Sequence, residues 1–159
     1  MKKIQIHFYL LPLLLCFALA AVTALLQVDS LQTWYPYLSK PALTPPNVVF
    51  PIVWTLLYAC IGVSAGLTLS SCKEGRHTAM LLWYIQLALN FLWSVFFFTL
   101  RSPLLGMIDI LALDAAVILY LIFSARVSRA AAWIMVPYLV WILFATYLNG
   151  WIWMANIAR

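Results

Sequence analysis

In two separate apolar stretches of this chain, aromatic rings recur with an amide or a small residue on one side of a helix, and a third stretch carries a pair of rings. Trp83, Gln86, Asn90 and Trp93 stand at offsets 0, 3, 7 and 10, and Tyr138, Trp141, Ala145 and Asn149 at 0, 3, 7 and 11. At about 3.6 residues per turn each set shares a face. Trp54 and Tyr58 add a third pair, at i and i+4. Indole and phenol rings supply flat apolar surface with a polar edge, and amides supply a few directed hydrogen bonds. That chemistry is recognition rather than bond breaking. Taken singly, each stripe also serves helix packing, with interhelical hydrogen bonds worth roughly 0.6–2 kcal/mol apiece. Together, with Ala145 leaving room between larger rings, they suggest a flat aromatic-lined pocket for an apolar ligand with few polar atoms.

The remaining chemistry-bearing residues do not form a reactive set. Asp109 and Asp114 lie five residues apart, about 140° from each other on a helix, so they are not a catalytic pair. A buried acceptor or cap is the plain reading of either carboxylate, and a proton relay the sharper one. Cys16, Cys60 and Cys72 have neither zinc-site nor CxxC spacing and read as packing residues. His7 stands alone beside an apolar run, an interfacial residue and a poor haem ligand. No phosphate loop, nucleophile triad or multi-ligand metal site occurs, so conventional hydrolysis or phosphoryl transfer is not expected, and no catalytic or metal residue is assigned.

What must position these residues follows from composition. The chain has 159 residues, 67% hydrophobic and 8% charged, with a mean hydropathy of +1.03. A soluble domain carries roughly 25% charged residues. Formal charges are missing from 4–28, 41–72 and 78–100, and from 127–157 apart from Arg129. A spanning helix needs about 20 apolar residues, and open strands cannot pair their backbone groups in hydrocarbon. The expected fold is all-α: one membrane domain over 1–159, with five transmembrane helices near 7–27, 48–70, 79–100, 104–124 and 131–156. Lys2 and Lys3 before an apolar run, with Ala18-Leu19-Ala20 beyond, resemble a signal peptide. The run to residue 28 exceeds a usual apolar region of roughly 7–15 residues, so a retained helix is expected. Gly62 and Gly66 form a GxxxG that permits close helix approach.

The net charge of +5, nine bases against four acids, is spread thinly through loops and makes no nucleic-acid surface. With five spans, Lys2, Lys3, Lys73, Arg76, Arg126 and Arg129 fall on one side and Lys40, Arg101 and Arg159 on the other. That bias predicts a cytoplasmic N-terminus and an outside C-terminus. The connection 29–47 is much longer than the rest. Trp34, Tyr35 and Tyr37 suit the membrane boundary, and Pro36, Pro41, Pro45 and Pro46 keep the backbone out of helix. It reads either as a passive aromatic belt or as a rigid lid over one end of the bundle.

These residues also carry a family likeness. Trp34-Tyr35 with Lys40-Pro41, Pro45-Pro46, Phe50, Trp54 and Leu57-Tyr58 resembles the first loop and second helix of the translocator protein family, the tryptophan-rich sensory proteins. Gln86, Leu89-Asn90, Trp93-Ser94 and Phe97-Phe98 resemble their third helix, and Asp109 the acidic position of their fourth. Pro137-Tyr138, Trp141, Phe144-Ala145, Leu148-Asn149 and Ile152-Trp153 resemble their fifth. The likeness runs in order along almost the whole chain, in a bacterial rather than an animal form.

The resemblance implies a five-helix bundle, usually a homodimer in contact with membrane lipid. Its pocket is expected to take porphyrin (protoporphyrin IX or haem) or another flat apolar molecule, such as a benzodiazepine-type ligand, with no required cofactor. By likeness the ligand-binding residues are Tyr35, Trp54, Asn90, Trp141 and Ala145, with Gln86, Trp93 and Tyr138 behind them. The function implied is a membrane tetrapyrrole-binding sensor or regulator. The alternatives are a transporter of porphyrin or lipid or sterol, and a light-dependent porphyrin-degrading enzyme. The absence of a detectable inverted repeat argues against alternating access. The animal cholesterol motif closes with Tyr and then Arg in the fifth helix, whereas here Gly150 stands at the Tyr position and no base follows before Arg159. Looser cholesterol-type patterns, Leu31–Tyr35–Lys40 and Val117–Tyr120–Arg126, arise easily in apolar sequence.

Overall fold

The computed structural model describes residues 6–157. Five helices follow the five charge-poor runs: α1 His7–Thr33, α2 Val49–Leu69, α3 Arg76–Ser94, α4 Pro103–Val127 and α5 Arg129–Asn156. Each is long and apolar enough to cross a membrane. No strand occurs among the described residues. The polypeptide is a multi-pass integral membrane protein.

Helix ends follow local chemistry. Pro103 opens α4 with its fixed φ, and Ser102 caps it by accepting a hydrogen bond from the Leu105 amide at 3.3 Å. Ser128 alone joins α4 to α5, and its hydroxyl accepts from the Ala131 amide at 3.3 Å. The largest departure from the sequence expectation is at α1, which continues through 28–33. Neither glycine nor proline interrupts that stretch before Pro36. Arg101 holds its polar residues from a distance, pairing with Asp29 at 2.6 Å and donating to Thr33 Oγ1 at 3.0 Å. The connection is therefore 34–48, opened by a 3-10 turn at Tyr35–Tyr37.

Round the bundle the helices follow the order α1, α2, α5, α4, α3. Gly62 and Gly66 let α1 and α2 touch. A Cβ on Gly62 would sit 3.0 Å from the Leu13 Cα, and one on Gly66 would sit against the Tyr9 ring. The glycine pair thus acts within one chain. Trp83, fully buried, donates from its indole to the Ile61 carbonyl at 3.0 Å and staples α3 to α2. Its place is in the core, although it shares a stripe with Asn90 and Trp93. At the α1-start end, Ser64, Thr68 and Tyr120 share hydroxyl hydrogen bonds, and Ser64 also donates to the Ala131 carbonyl at 2.7 Å. This end is tied by polar groups, which hydrocarbon leaves without competing water.

Candidate ligand cavity

Towards the other end the bundle holds a cavity of about 440 Å³. Pairing of α1 with α2 is tightest at the glycines, and the cavity occupies the space between the opposite halves of these helices and α5. Trp54 and Phe50 enter from α2, Trp141 and Ala145 from α5, and Tyr35 from the loop. Phe50 meets Trp141 edge-on at 5.9 Å, and Trp54 lies 5.6 Å from Tyr58. α3 reaches the cavity only near its end, through Trp93, and the turn that follows it adds Phe97 and Phe98.

That reach depends on a change of helix type. From Val95 to Thr99 the chain turns as a π-helix, closed by the Leu100 amide on the Val95 carbonyl at 2.8 Å. Consecutive residues on an α-helix point about 100° apart. The wider π turn brings both Phe97 and Phe98 inside, where they are 3% and 8% exposed. Trp93 stacks on Phe97 at 5.2 Å and 19°. Gly106 of α4 makes the space, since a Cβ there would fall 2.8 Å from Asn149 Oδ1 and 3.1 Å from the Phe97 ring.

Of the residues expected to bind ligand, Tyr35, Trp54, Trp93, Trp141 and Ala145 line the cavity. Asn90 stands one layer behind: it accepts from the Tyr58 hydroxyl at 2.7 Å and donates to the Tyr138 hydroxyl at 3.0 Å. Tyr138 is fully buried beneath Trp54, 6.4 Å away. Gln86 is fully buried as well, and neither of its amide atoms has a partner. These three shape the wall without reaching its surface.

The α1 wall, Ala20, Thr23, Ala24, Gln27 and Leu31, was missing from the sequence expectation. Its signal was present, because these residues recur at helical spacing and Thr23 and Gln27 are polar in an apolar run. Polar groups in the wall are largely paired already. Thr23 donates back to Leu19 and Ala20 carbonyls, and Gln27 donates to Ser94 Oγ at 2.9 Å. Asn149 accepts from the Trp93 indole at 3.1 Å and donates to the Pro103 carbonyl at 2.7 Å. What faces the hollow is mostly ring and aliphatic carbon. Ala24, Leu31, Pro51 and Thr55 are exposed on the flank between α1 and α2, so the cavity meets lipid there.

The loop closes the cavity's end. Ser39 and Asn156 exchange two hydrogen bonds, amide to Oδ1 at 3.1 Å and Nδ2 to carbonyl at 3.0 Å. Lys40 donates to the Tyr35 carbonyl at 2.8 Å and lies over the Tyr35 ring at 4.5 Å. Desolvation pushes the Tyr35 phenol above its usual pKa and lowers that of Lys40, because each charged form would lose water there. These contacts hold the proline-rich segment against the end of α5. Asp114 accepts from Thr146 Oγ1 at 2.8 Å, while Asp109 is buried on α4, and neither aspartate lines the cavity.

Comparison with known proteins agrees with this architecture. The model of the TspO/MBR family matches residues 12–154. A tryptophan-rich protein TspO of Archaeoglobus fulgidus is 44% identical over 80% of this chain and 83% of its own length. A tryptophan-rich sensory protein of Cereibacter sphaeroides is 35% identical over 84% and 82%. The human translocator protein is 34% identical over 77% and 75%. With five apolar helices around a tryptophan-walled cavity and a match along nearly its whole length, this chain belongs to the TspO/MBR family of membrane proteins.

Proposed function

We propose that the protein is a membrane sensor or regulator that binds a tetrapyrrole, protoporphyrin or haem, in the cavity under the lid. The observation that carries this reading is the wall itself: a hollow of about 440 Å³ lined by rings of Tyr35, Phe50, Trp54, Trp93, Phe97 and Trp141, its polar groups largely spent on one another. A flat aromatic ligand gains contact area and ring-edge interactions there, and it needs few hydrogen bonds from the protein. The word sensory in the name of the Cereibacter relative supports the same reading. Titration of purified protein with protoporphyrin, followed by tryptophan quenching and porphyrin absorbance, is expected to saturate at one porphyrin per chain. Uptake that grows with detergent instead of saturating would reject the site. In proteoliposomes a sensor holds its ligand, so porphyrin flux above the empty-vesicle rate would favour a carrier.

The same reading places the lid outside the cytoplasm, following the bias of basic residues. Cys72 is exposed in the connection between α2 and α3, on the side assigned to the cytoplasm. A membrane-impermeant thiol reagent is expected to miss Cys72 in intact cells and to label it after permeabilisation. Leu43→Cys in a Cys72→Ser background, at an exposed loop position, should show the reverse. Labelling of Cys72 in intact cells inverts the orientation.

A further inference from the structure

A second hollow, of about 320 Å³, lies at the opposite end of the bundle, lined by Phe8, Leu69, Arg76, His77, Met80 and Tyr84. Its chemistry changes along its length. Arg76 and His77 begin α3, where the helix leaves water. Met80 and Tyr84 lie further in, Tyr84 about 12 Å along the axis from Arg76 at 1.5 Å per residue. Phe8 of α1 and Leu69 of α2 complete the apolar part. Arg76 Nη1 donates to the carbonyls of Leu69 at 3.3 Å and Ser71 at 3.2 Å, which fixes the guanidinium at the mouth. No carboxylate pairs with it among the described residues. Lys73 and Glu74 are both exposed in the same connection.

We infer that this hollow binds an anionic phospholipid of the adjoining leaflet. The headgroup phosphate sits on Arg76 and His77, and an acyl chain runs along Phe8, Met80 and Tyr84. A planar guanidinium with unused N–H groups matches phosphate oxygens, and imidazole adds a donor beside it. A basic mouth between transmembrane helices is the usual setting for such headgroups. The apolar wall selects the source of the phosphate. A free phosphate ion would leave Met80 and Tyr84 without a partner, whereas a lipid covers both ends at once.

The test uses the full chain in detergent, with phosphatidylglycerol and phosphatidylcholine of identical acyl chains and bound lipid counted by native mass spectrometry. Phosphatidylglycerol is expected to bind about tenfold more tightly, because the two lipids share the phosphate but the choline cation offsets its charge beside Arg76. Arg76→Gln should bring that preference close to unity. Because Arg76 also tethers two carbonyls, His77→Gln and Tyr84→Ala are measured beside it. The first should reduce the preference, and the second should weaken both lipids alike. Arg126→Gln, a base of the same side outside the hollow, should leave the preference unchanged. Equal binding of the two lipids by the parent, an Arg126→Gln loss as large as that of Arg76→Gln, or displacement of lipid by millimolar inorganic phosphate overturns the assignment.

Discussion

Leucine at position 145 is expected to weaken protoporphyrin binding by tenfold or more while the protein still folds. Ala145 lies in the cavity wall on the face of α5 that also carries Trp141 and Asn149, and it is only partly buried. Three added carbons project into the hollow, not into packed core, so the ligand meets the overlap and the helix does not. Overpacking costs about 1–3 kcal/mol, and here the cost appears only in the bound state. Trp141→Ala acts in the opposite sense, by removal. It deletes a ring that meets Phe50 edge-on at 5.9 Å and forms one side of the wall. Ring contact contributes about 0.5–1.5 kcal/mol beyond area burial, so a loss of at least tenfold is expected there too. Leu143→Ala, on the 47% exposed outer face of α5, should bind as the parent does. Affinities are best read from porphyrin absorbance, since deleting an indole alters the protein's own fluorescence. Parent-like affinity in Ala145→Leu and Trp141→Ala, with both verified as folded, would remove the cavity as the binding site.

The second large effect falls on stability. Gly62→Leu should destabilise the bundle by about 3 kcal/mol, at the upper end of overpacking costs, because the backbone of α1 itself blocks the side chain. The Leu13 side chain comes within 2.7 Å of where the new Cβ would be, and behind it the Leu13 Cα stands at 3.0 Å. Gly66→Ala meets a different obstacle, the ring of Tyr9, with its nearest atom only 2.3 Å from the new Cβ. A ring can swing away and a helix backbone cannot. Tyr9→Ala should therefore rescue Gly66→Ala, while Leu13→Ala should fail to rescue Gly62→Leu. Unfolding in mixed micelles with increasing SDS measures each difference. If the glycines served a contact between chains, Gly62→Leu would change oligomeric state and leave the stability of the single chain alone.

Charge and proline positions made the spans legible, because lipid excludes charge from long stretches and so writes the boundaries into composition. The end of α1 was less legible. Asp29 and Thr33 look like loop residues, and the groups that hold this turn, Arg101 and the Phe98 carbonyl that accepts from Ser30, lie more than sixty residues away in sequence. The inward orientation of Asn90, Gln86 and Trp83 could be read from their spacing. Their depth could not, since spacing gives an angle about the helix axis and says nothing about which neighbour stands in front. Tyr58 stands between Asn90 and the cavity, and Trp83 bonds to the backbone of α2. Phe97 and Phe98 entered the wall together because α3 loosens into a π turn, which the facing Gly106 accommodates. No residue within 95–99 announces that turn.

The flank of the cavity between α1 and α2 gives binding an unusual thermodynamic reference. Ala24, Leu31, Pro51 and Thr55 face outward there, so in a bilayer the competitor for the cavity is an acyl chain rather than water. On the proposed function, ligand uptake is then an exchange of one apolar occupant for another, and the hydrophobic effect contributes little at that flank because no water is released from it. Affinity must come from the better fit of rings to rings. It follows that a dissociation constant for this protein belongs to a particular membrane: stiffer or bulkier acyl chains, which fill the hollow poorly, raise the apparent affinity without any change in the protein.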